Sequence, residues 1–455
     1  MNQDQILLRK YNVSGPRYTS YPTVPYWNSE APRQADWMNR FQETLIQDKQ
    51  QKGISLYIHL PFCESLCTYC ACNTRITVNH GVETPYIEAL LKEWRMYQEI
   101  LPEKPLIRDI HLGGGTPTFF QAQNLEKLIQ GLLKNGRTVE QPHFSFEGHP
   151  ANTSYAHLKT LAQLGFKRLS LGIQDFSPRV QKLINRRQNV EQVLRVGEQA
   201  RELGYESINY DLVYGLPGQD TFSLQNTLNY VKMLRPNRIA YYSYAHVPWI
   251  KPSQRVFKPE DLPNPHQKQL FYEMGREMML QEGYVEIGMD HFALEDDPLS
   301  LAYEKGELHR NFMGYCTDQS TALIGLGTSA ISDAWTAFIQ NEKKVEDYYH
   351  RIEKGDFPFF RGHLLNQEDL LIRQHILNLM CRFETQWGEE DQQGAALYEA
   401  LPRLKEMEKD GLLRVEPYQL KISEKGKPFL RNICMAFDQK LWQSQPDRPL
   451  FSQVI

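Results

Sequence analysis

A chain of 455 residues exceeds what one hydrophobic core normally organises, so one large domain with smaller attachments is expected. Its composition, 41% hydrophobic and 23% charged, excludes global disorder, and a formal charge of −4 provides no basic footprint for nucleic acid. No stretch approaches the ~18 consecutive apolar residues of a spanning helix and the N-terminus has no apolar leader core, so a cytoplasmic protein without a membrane span is expected.

Taken in chain order, residues 1–50 carry Arg17, Tyr18 and Tyr21 among prolines and read as an extended arm or lid over a larger body. From 51 to 295 short β-type runs alternate with helical stretches: 54–59, 107–112, 143–148, 168–173, 208–215, 238–246 and 284–292. In the helical stretch 84–100, Thr84 is the expected cap and Pro85 the first helical residue, with Ile87, Leu90, Trp94 and Tyr97 on one face. Repeated strand–helix order predicts a parallel sheet with right-handed crossovers. Six or seven such units, without a G-x-G-x-x-G fingerprint, predict an α/β fold closed as a partial (β/α)6-type parallel barrel.

Polar residues follow nearly every run: a cysteine loop, Gly113–Thr116, Glu147 with His149, Gln174 with Asp175, Asp211, Tyr244 with His246, and Asp290 with His291. Singly, each is ordinary loop chemistry; recurring this often in a barrel, they converge on one rim. Residues 296–364 are read as a barrel extension and linker, and 365–455 as a mostly helical domain. That domain contains a hairpin at 411–423, which makes it winged-helix-like. Glu406, Glu408, Asp410 and Glu416 dilute its basic residues, which favours a packing or lid module over a DNA reader.

Four of the seven cysteines crowd into Cys63–Cys72 while Cys316, Cys381 and Cys434 are scattered, a distribution unlike a disulfide framework. The crowded four form C-x3-C-x2-C-x-C directly after the first strand. Three close thiolates hold three irons of a cubane and leave the fourth open to another ligand. The competing reading is a four-cysteine zinc knot, which usually pairs two separated knuckles.

Cys63, Cys67, Tyr69 and Cys70, as C-x3-C-x-aromatic-C, resemble the motif of the radical SAM superfamily, and GGGTP at Gly113–Pro117 supports the match. Stretches along the whole chain narrow the resemblance to the oxygen-independent coproporphyrinogen III oxidase (dehydrogenase) family. They include YNVSGPRYTSYPT (11–23), LYIHLPFC (56–63), YDLVYGLPGQ (210–219), LHRNFMGY (308–315) and RNICMAFD (431–438). A related haem-chaperone family, which delivers haem without decarboxylating, shares the cluster and barrel motifs but typically lacks the GPRYTSYPT arm and the fourth cysteine.

The resemblance implies a [4Fe–4S] cluster on Cys63, Cys67 and Cys70, with S-adenosylmethionine (SAM) on the open iron and a second SAM beside it. By position, Tyr57, Gly114, Glu147 and Ile331 hold the first SAM, and Tyr69, Gly115, Thr116, Gln174, Arg186, Asp211 and Ala245 the second. It further implies oxidative decarboxylation of the ring A and B propionates of coproporphyrinogen III to vinyl groups. A reducing donor such as flavodoxin or ferredoxin and an unidentified electron acceptor would serve a monomeric enzyme.

Four substrate carboxylates call for cations outside the SAM set, so Arg17, Arg310 and Arg431 are the candidates. Cys72 is placed as a substrate-side or structural thiol. The chain departs from the family pattern at Tyr69, usually phenylalanine, at Ala71, commonly glycine, and at His149, where an acidic residue is frequent.

Overall fold

A computed structural model of the chain describes residues 3–28, 30–48, 51–101, 103–317, 319–389, 394–443 and 450–453. Six parallel strands follow one another in chain order: β1 (Ile54–Leu60), β2 (Leu106–Gly114), β3 (Arg137–Gly148), β4 (Phe166–Gln174), β5 (Ser207–Tyr214) and β6 (Arg238–Ser243). Each is linked to the next by at least one helix, and the six form the expected open barrel. Apolar residues at alternate positions face the helices: Leu56 and Ile58, Ile110 and Leu112, Leu169 and Leu171, Ile208 and Leu212 are all at most 1% exposed. The intervening residues face the lumen.

The first connecting helix, α1 (Glu83–Ile100), buries Ile87, Leu90, Trp94 and Tyr97 as its spacing requires. It begins one residue before the expected cap, so Thr84 lies inside it and Val82 precedes it without a side-chain bond. The buried Glu83 carboxylate instead accepts from Gln121 N at 2.8 Å and Asn124 Nδ2 at 2.7 Å, tying α1 to the next helix. Several later helices start as their sequences dictate, with capping boxes at Ser154, Asn189, Asp220 and Asn264.

The run 284–292 is not a seventh parallel strand. It splits into an antiparallel hairpin, β7 (Tyr284–Gly288) and β8 (His291–Leu294), with β8 antiparallel to β6. Met289 adopts φ +46° between them, so the chain reverses inside what reads as one β-type run. A small hairpin, β9 (His309–Asn311) and β10 (Gly314–Cys316), follows. The next strand, β11 (Ala322–Leu326), is parallel to β1 on its other side. The sheet then continues antiparallel through β12 (Ile331–Asp333), β13 (Ala337–Asn341) and β14 (Phe359–Leu364).

After β14 a helix (Gln367–Arg382), a second (Ala395–Lys409) and the expected hairpin (Leu413–Glu416 with Gln419–Ile422) lead to the helix Leu430–Phe437. These elements share a hydrophobic core with Tyr18 and Tyr21 of the N-terminal segment. Tyr18 donates to Asp438 Oδ2 at 3.0 Å, and Ser14 bridges to Gln453. The arm is therefore built into the C-terminal core. Among the described residues no helix is long and apolar enough to cross a membrane.

Candidate active site

The cysteine loop leaves β1 and is closed at its base, where Phe62–Cys63 pairs with Arg75–Ile76. Its inner side is fixed to the end of β2, because Gly115 N donates to Leu60 O at 2.8 Å and Thr116 N to Phe62 O at 3.1 Å. Its tip is held by Asn185 Nδ2, which donates to Leu66 O at 2.8 Å. Glycine is required at 114, where φ is +110° and a Cβ would come within 2.7 Å of the His59 ring.

Cys63, Cys67 and Cys70 are half-buried and line one cavity of about 710 Å³ that runs from this loop down the barrel lumen. Thr116 Oγ1 lies 3.3 Å from Cys63 Sγ, and Arg186 Nη1 lies 3.8 Å from Cys67 Sγ. Burial pushes the Cys63 thiol up to about 11 and raises Cys67, where Arg186 opposes the effect. At Cys70 a hydrogen bond from Cys72 outweighs burial and brings the thiol down to about 6. Three sulfurs around one cavity, with a guanidinium beside them to stabilise thiolate charge, fit the donor set of a three-cysteine iron–sulfur cluster. Among the described residues no three His, Cys, Asp or Glu side chains are gathered at the spacing of a single ion.

Of the first group of SAM candidates, Gly114 and Glu147 line the cavity. Gly114 N donates to Glu147 Oε2 at 3.3 Å, and Glu147 Oε1 lies 3.4 Å from His111 Nε2. Tyr57 stacks on His111 at 5.9 Å and donates to His59 Nδ1 at 3.1 Å. Ile331 is outside the cavity, on β12 against Gly325, which pairs with Tyr57.

Six of the second group line the cavity: Tyr69, Gly115, Thr116, Gln174, Arg186 and Asp211. Arg186 donates through Nη2 to Gly172 O and through Nε to Gln188 Oε1 at 3.2 Å. Asp211 accepts from Ser170 Oγ at 2.9 Å and Asn209 Nδ2 at 2.8 Å. Burial, then the nearby Glu147, pushes its carboxyl up to about 7. Ala245 lies apart from the cavity; its carbonyl accepts from Gln254 Nε2 at 3.2 Å, which also donates to Tyr69 O at 3.1 Å.

The substrate candidates divide. Cys72 lines the cavity, and its carbonyl accepts from Lys251 Nζ at 3.0 Å. Arg17 pairs with Asp290 at 2.8 Å and donates to Ser243 O at 3.2 Å. Arg431 is buried and donates to Pro16 O at 2.9 Å and to Gly15 O. Both arginines are thus engaged in fastening the arm and lie outside the cavity. Arg310 is 7% exposed, with its guanidinium 4.5 Å from the ring of Tyr315, a cavity residue. Its Nε and Nη1 have no partner among the described residues.

The polar lining of the lumen was not singled out from the sequence. Asp109 and His111 on β2, Ser145 on β3, Arg168 and Ser170 on β4, Ser207 and Asn209 on β5, and Arg238 and Tyr242 on β6 all face the cavity. The signal was present as polar residues two apart inside strands otherwise buried on both faces, such as R-x-S-x-G at 168–172 and S-x-N-x-D at 207–211. His149, the departure from the family pattern, also lines the cavity and accepts from Ala151 N at 3.1 Å.

The family model of the radical SAM superfamily matches residues 57–231. The chain is 37% identical to the oxygen-independent coproporphyrinogen III oxidase of Escherichia coli, covering 99% of this chain and 98% of that protein. It is 38% identical to the Pseudomonas aeruginosa protein of the same name, again over 99% and 98%. The solved structure of the E. coli coproporphyrinogen III oxidase, described as a radical SAM enzyme, superposes with a TM-score of 0.88 at 36% identity, over 95% of this chain and 98% of that one. With the cysteine loop at the mouth of a six-stranded barrel and relatives aligned from end to end, this chain belongs to the oxygen-independent coproporphyrinogen III oxidase family of the radical SAM superfamily.

Proposed function

We propose that this protein is the anaerobic enzyme that decarboxylates the ring A and B propionates of coproporphyrinogen III to vinyl groups, giving protoporphyrinogen IX. The observation that carries the proposal is the three-cysteine loop opening onto the 710 Å³ lumen, in a chain that aligns over 99% of its length with oxidases of that name. Cys63, Cys67 and Cys70 are the residues that would hold the [4Fe–4S] cluster. When bound, the cluster supplies the electron that cleaves SAM to a 5′-deoxyadenosyl radical.

The chain's own residues bind, orient and shield. Gly114 and Gly115 leave room for the amino-acid end of SAM close to the backbone, and Glu147 accepts from its ammonium or ribose hydroxyls. Tyr57 and Ile331 pack behind this first SAM. A second SAM is assigned to Tyr69, Thr116, Gln174, Arg186, Asp211 and Ala245, of which Arg186 presents a planar donor to a carboxylate. Asp211, whose carboxyl is raised to about 7 by burial, accepts from Asn209 and would offer the second SAM a hydrogen-bonding carboxyl. Arg310 and Cys72 face the substrate side. Arg17 and Arg431 close the arm over the barrel, which excludes water from a radical reaction. The enzyme works as a cytoplasmic monomer with a flavodoxin- or ferredoxin-like donor and a separate electron acceptor.

The test is an oxygen-free assay of reconstituted protein with coproporphyrinogen III and SAM, following the tricarboxylic intermediate and the divinyl product. Cys67→Ala is expected to lose iron, visible charge-transfer absorbance and product together. Formation of 5′-deoxyadenosine without decarboxylation would overturn the assignment.

A further inference from the structure

The lumen does not end in an apolar plug. Ser207 pairs in register with Arg168, Ser145 lies on the other side of Arg168, and Asn209 pairs with Arg238, so two arginines, from β4 and β6 on either side of β5, face the floor of the cavity. Their situations differ. Arg238 donates through Nε to Asp297 Oδ1 at 2.7 Å, and Asp297 is further held by Ser207 Oγ at 2.8 Å and Leu299 N at 2.8 Å. Arg168 has no such counterion: its Nε is buried without a partner, and no hydrogen bond or ion pair reaches it among the described residues. Asp109, a carboxylate of the floor whose field reaches Arg168, is held by Ser55 and faces His143 at 3.9 Å.

Cations also crowd the adjoining wall. His291, which lines the cavity, is kept neutral by burial and by the fields of Arg310, Arg17 and Arg238. Arg310 itself carries two unpartnered nitrogens behind Tyr315. A half-buried guanidinium whose buried nitrogen lacks a partner costs stability, so its presence in a cavity marks a place where an anion completes the site.

Resting on the reading that the substrate is a tetrapyrrole with propionate arms, we propose that Arg168 binds a substrate carboxylate at the floor of the lumen. Arg310, with two unpartnered nitrogens, supplies supporting positive field, whereas Arg238 is neutralised by Asp297. Position decides which carboxylate. Arg168 stands four residues below Gly172, the residue of β4 that meets Arg186 near the cysteine loop, a distance of about 13 Å along a strand. The reacting propionate must lie at the loop end, so the floor receives one of the two propionates that survive the reaction.

The test uses two stable oxidised porphyrins, coproporphyrin III and protoporphyrin IX, and the tetramethyl ester of the former, titrated by fluorescence into the full-length protein. Arg168→Met is expected to weaken both acids roughly 10- to 100-fold, the loss of a charge-assisted bond. The ester should bind wild type and variant alike, SAM affinity should not change, and the melting temperature should hold or rise because an unpaired buried charge is gone. Arg168→Lys should bind the acids with intermediate affinity. Unchanged acid binding, equal weakening of acid and ester, a lowered melting temperature, or an effect confined to coproporphyrin III would overturn the assignment. Failure of wild type to bind or convert the tetracarboxylate would instead overturn the function itself.

Discussion

Asp211 shows how the lumen sets the state of single groups. Its carboxyl is raised from 3.8 to about 7 by burial first and by Glu147 second. The folded chain therefore holds this proton more tightly than the unfolded chain, and the contribution to stability is full below about 4 and lost as pH rises through about 7. Asp211→Asn keeps a neutral group of the same shape. It is expected to be more stable than wild type by on the order of 1 kcal/mol at pH 8 and equal to it near pH 4, as read by denaturant unfolding at the two values. His149 is a contrasting case. Burial, then Arg186, pushes it down to about 3, so it is neutral at every working pH. His149→Asn retains an acceptor for Ala151 N, and the pH dependence of turnover is expected to match wild type.

At the scale of elements, the end of β2 and the cysteine loop operate as one unit. Gly114 adopts a backbone conformation that L side chains rarely take, and any Cβ there meets His59, whose Nε2 donates to Asn73 O at 2.9 Å beyond the cysteines. Gly114→Ala is expected to cost roughly 1–3 kcal/mol and to displace the loop. Reconstituted iron per chain should fall while the far-ultraviolet circular dichroism of the barrel stays the same. The strands themselves were legible because each carries apolar residues on the helix side, and the loop was legible because its ligands lie within eight residues. The break in 284–292 was missed, although Gly288 and Asp290, both common in turns, flank the left-handed Met289.

Across the whole molecule, the arm joins the two ends of the chain. Tyr18 and Tyr21 pack with Ile433, Phe437 and Leu379 in the C-terminal core, while Arg17 reaches back to Asp290 beside the barrel. Tyr18→Ala is expected to destabilise by roughly 3–5 kcal/mol through the cavity it leaves. Arg431→Ala, which frees the carbonyls of Gly15 and Pro16, should speed tryptic cleavage at Arg17.

The order of strands and helices, the cysteine loop and the family resemblance were determined by the sequence alone, because each rests on residues close together along the chain. The roles of the arginines were decided only by tertiary structure. Arg17 finds its carboxylate 273 residues away and Arg431 its carbonyl 415 residues away, so both are engaged in holding the arm. Arg168 finds no partner at all among the described residues, and so enters the substrate set. A buried charge takes its function from the neighbour that folding places beside it, and local spacing carries no record of that neighbour.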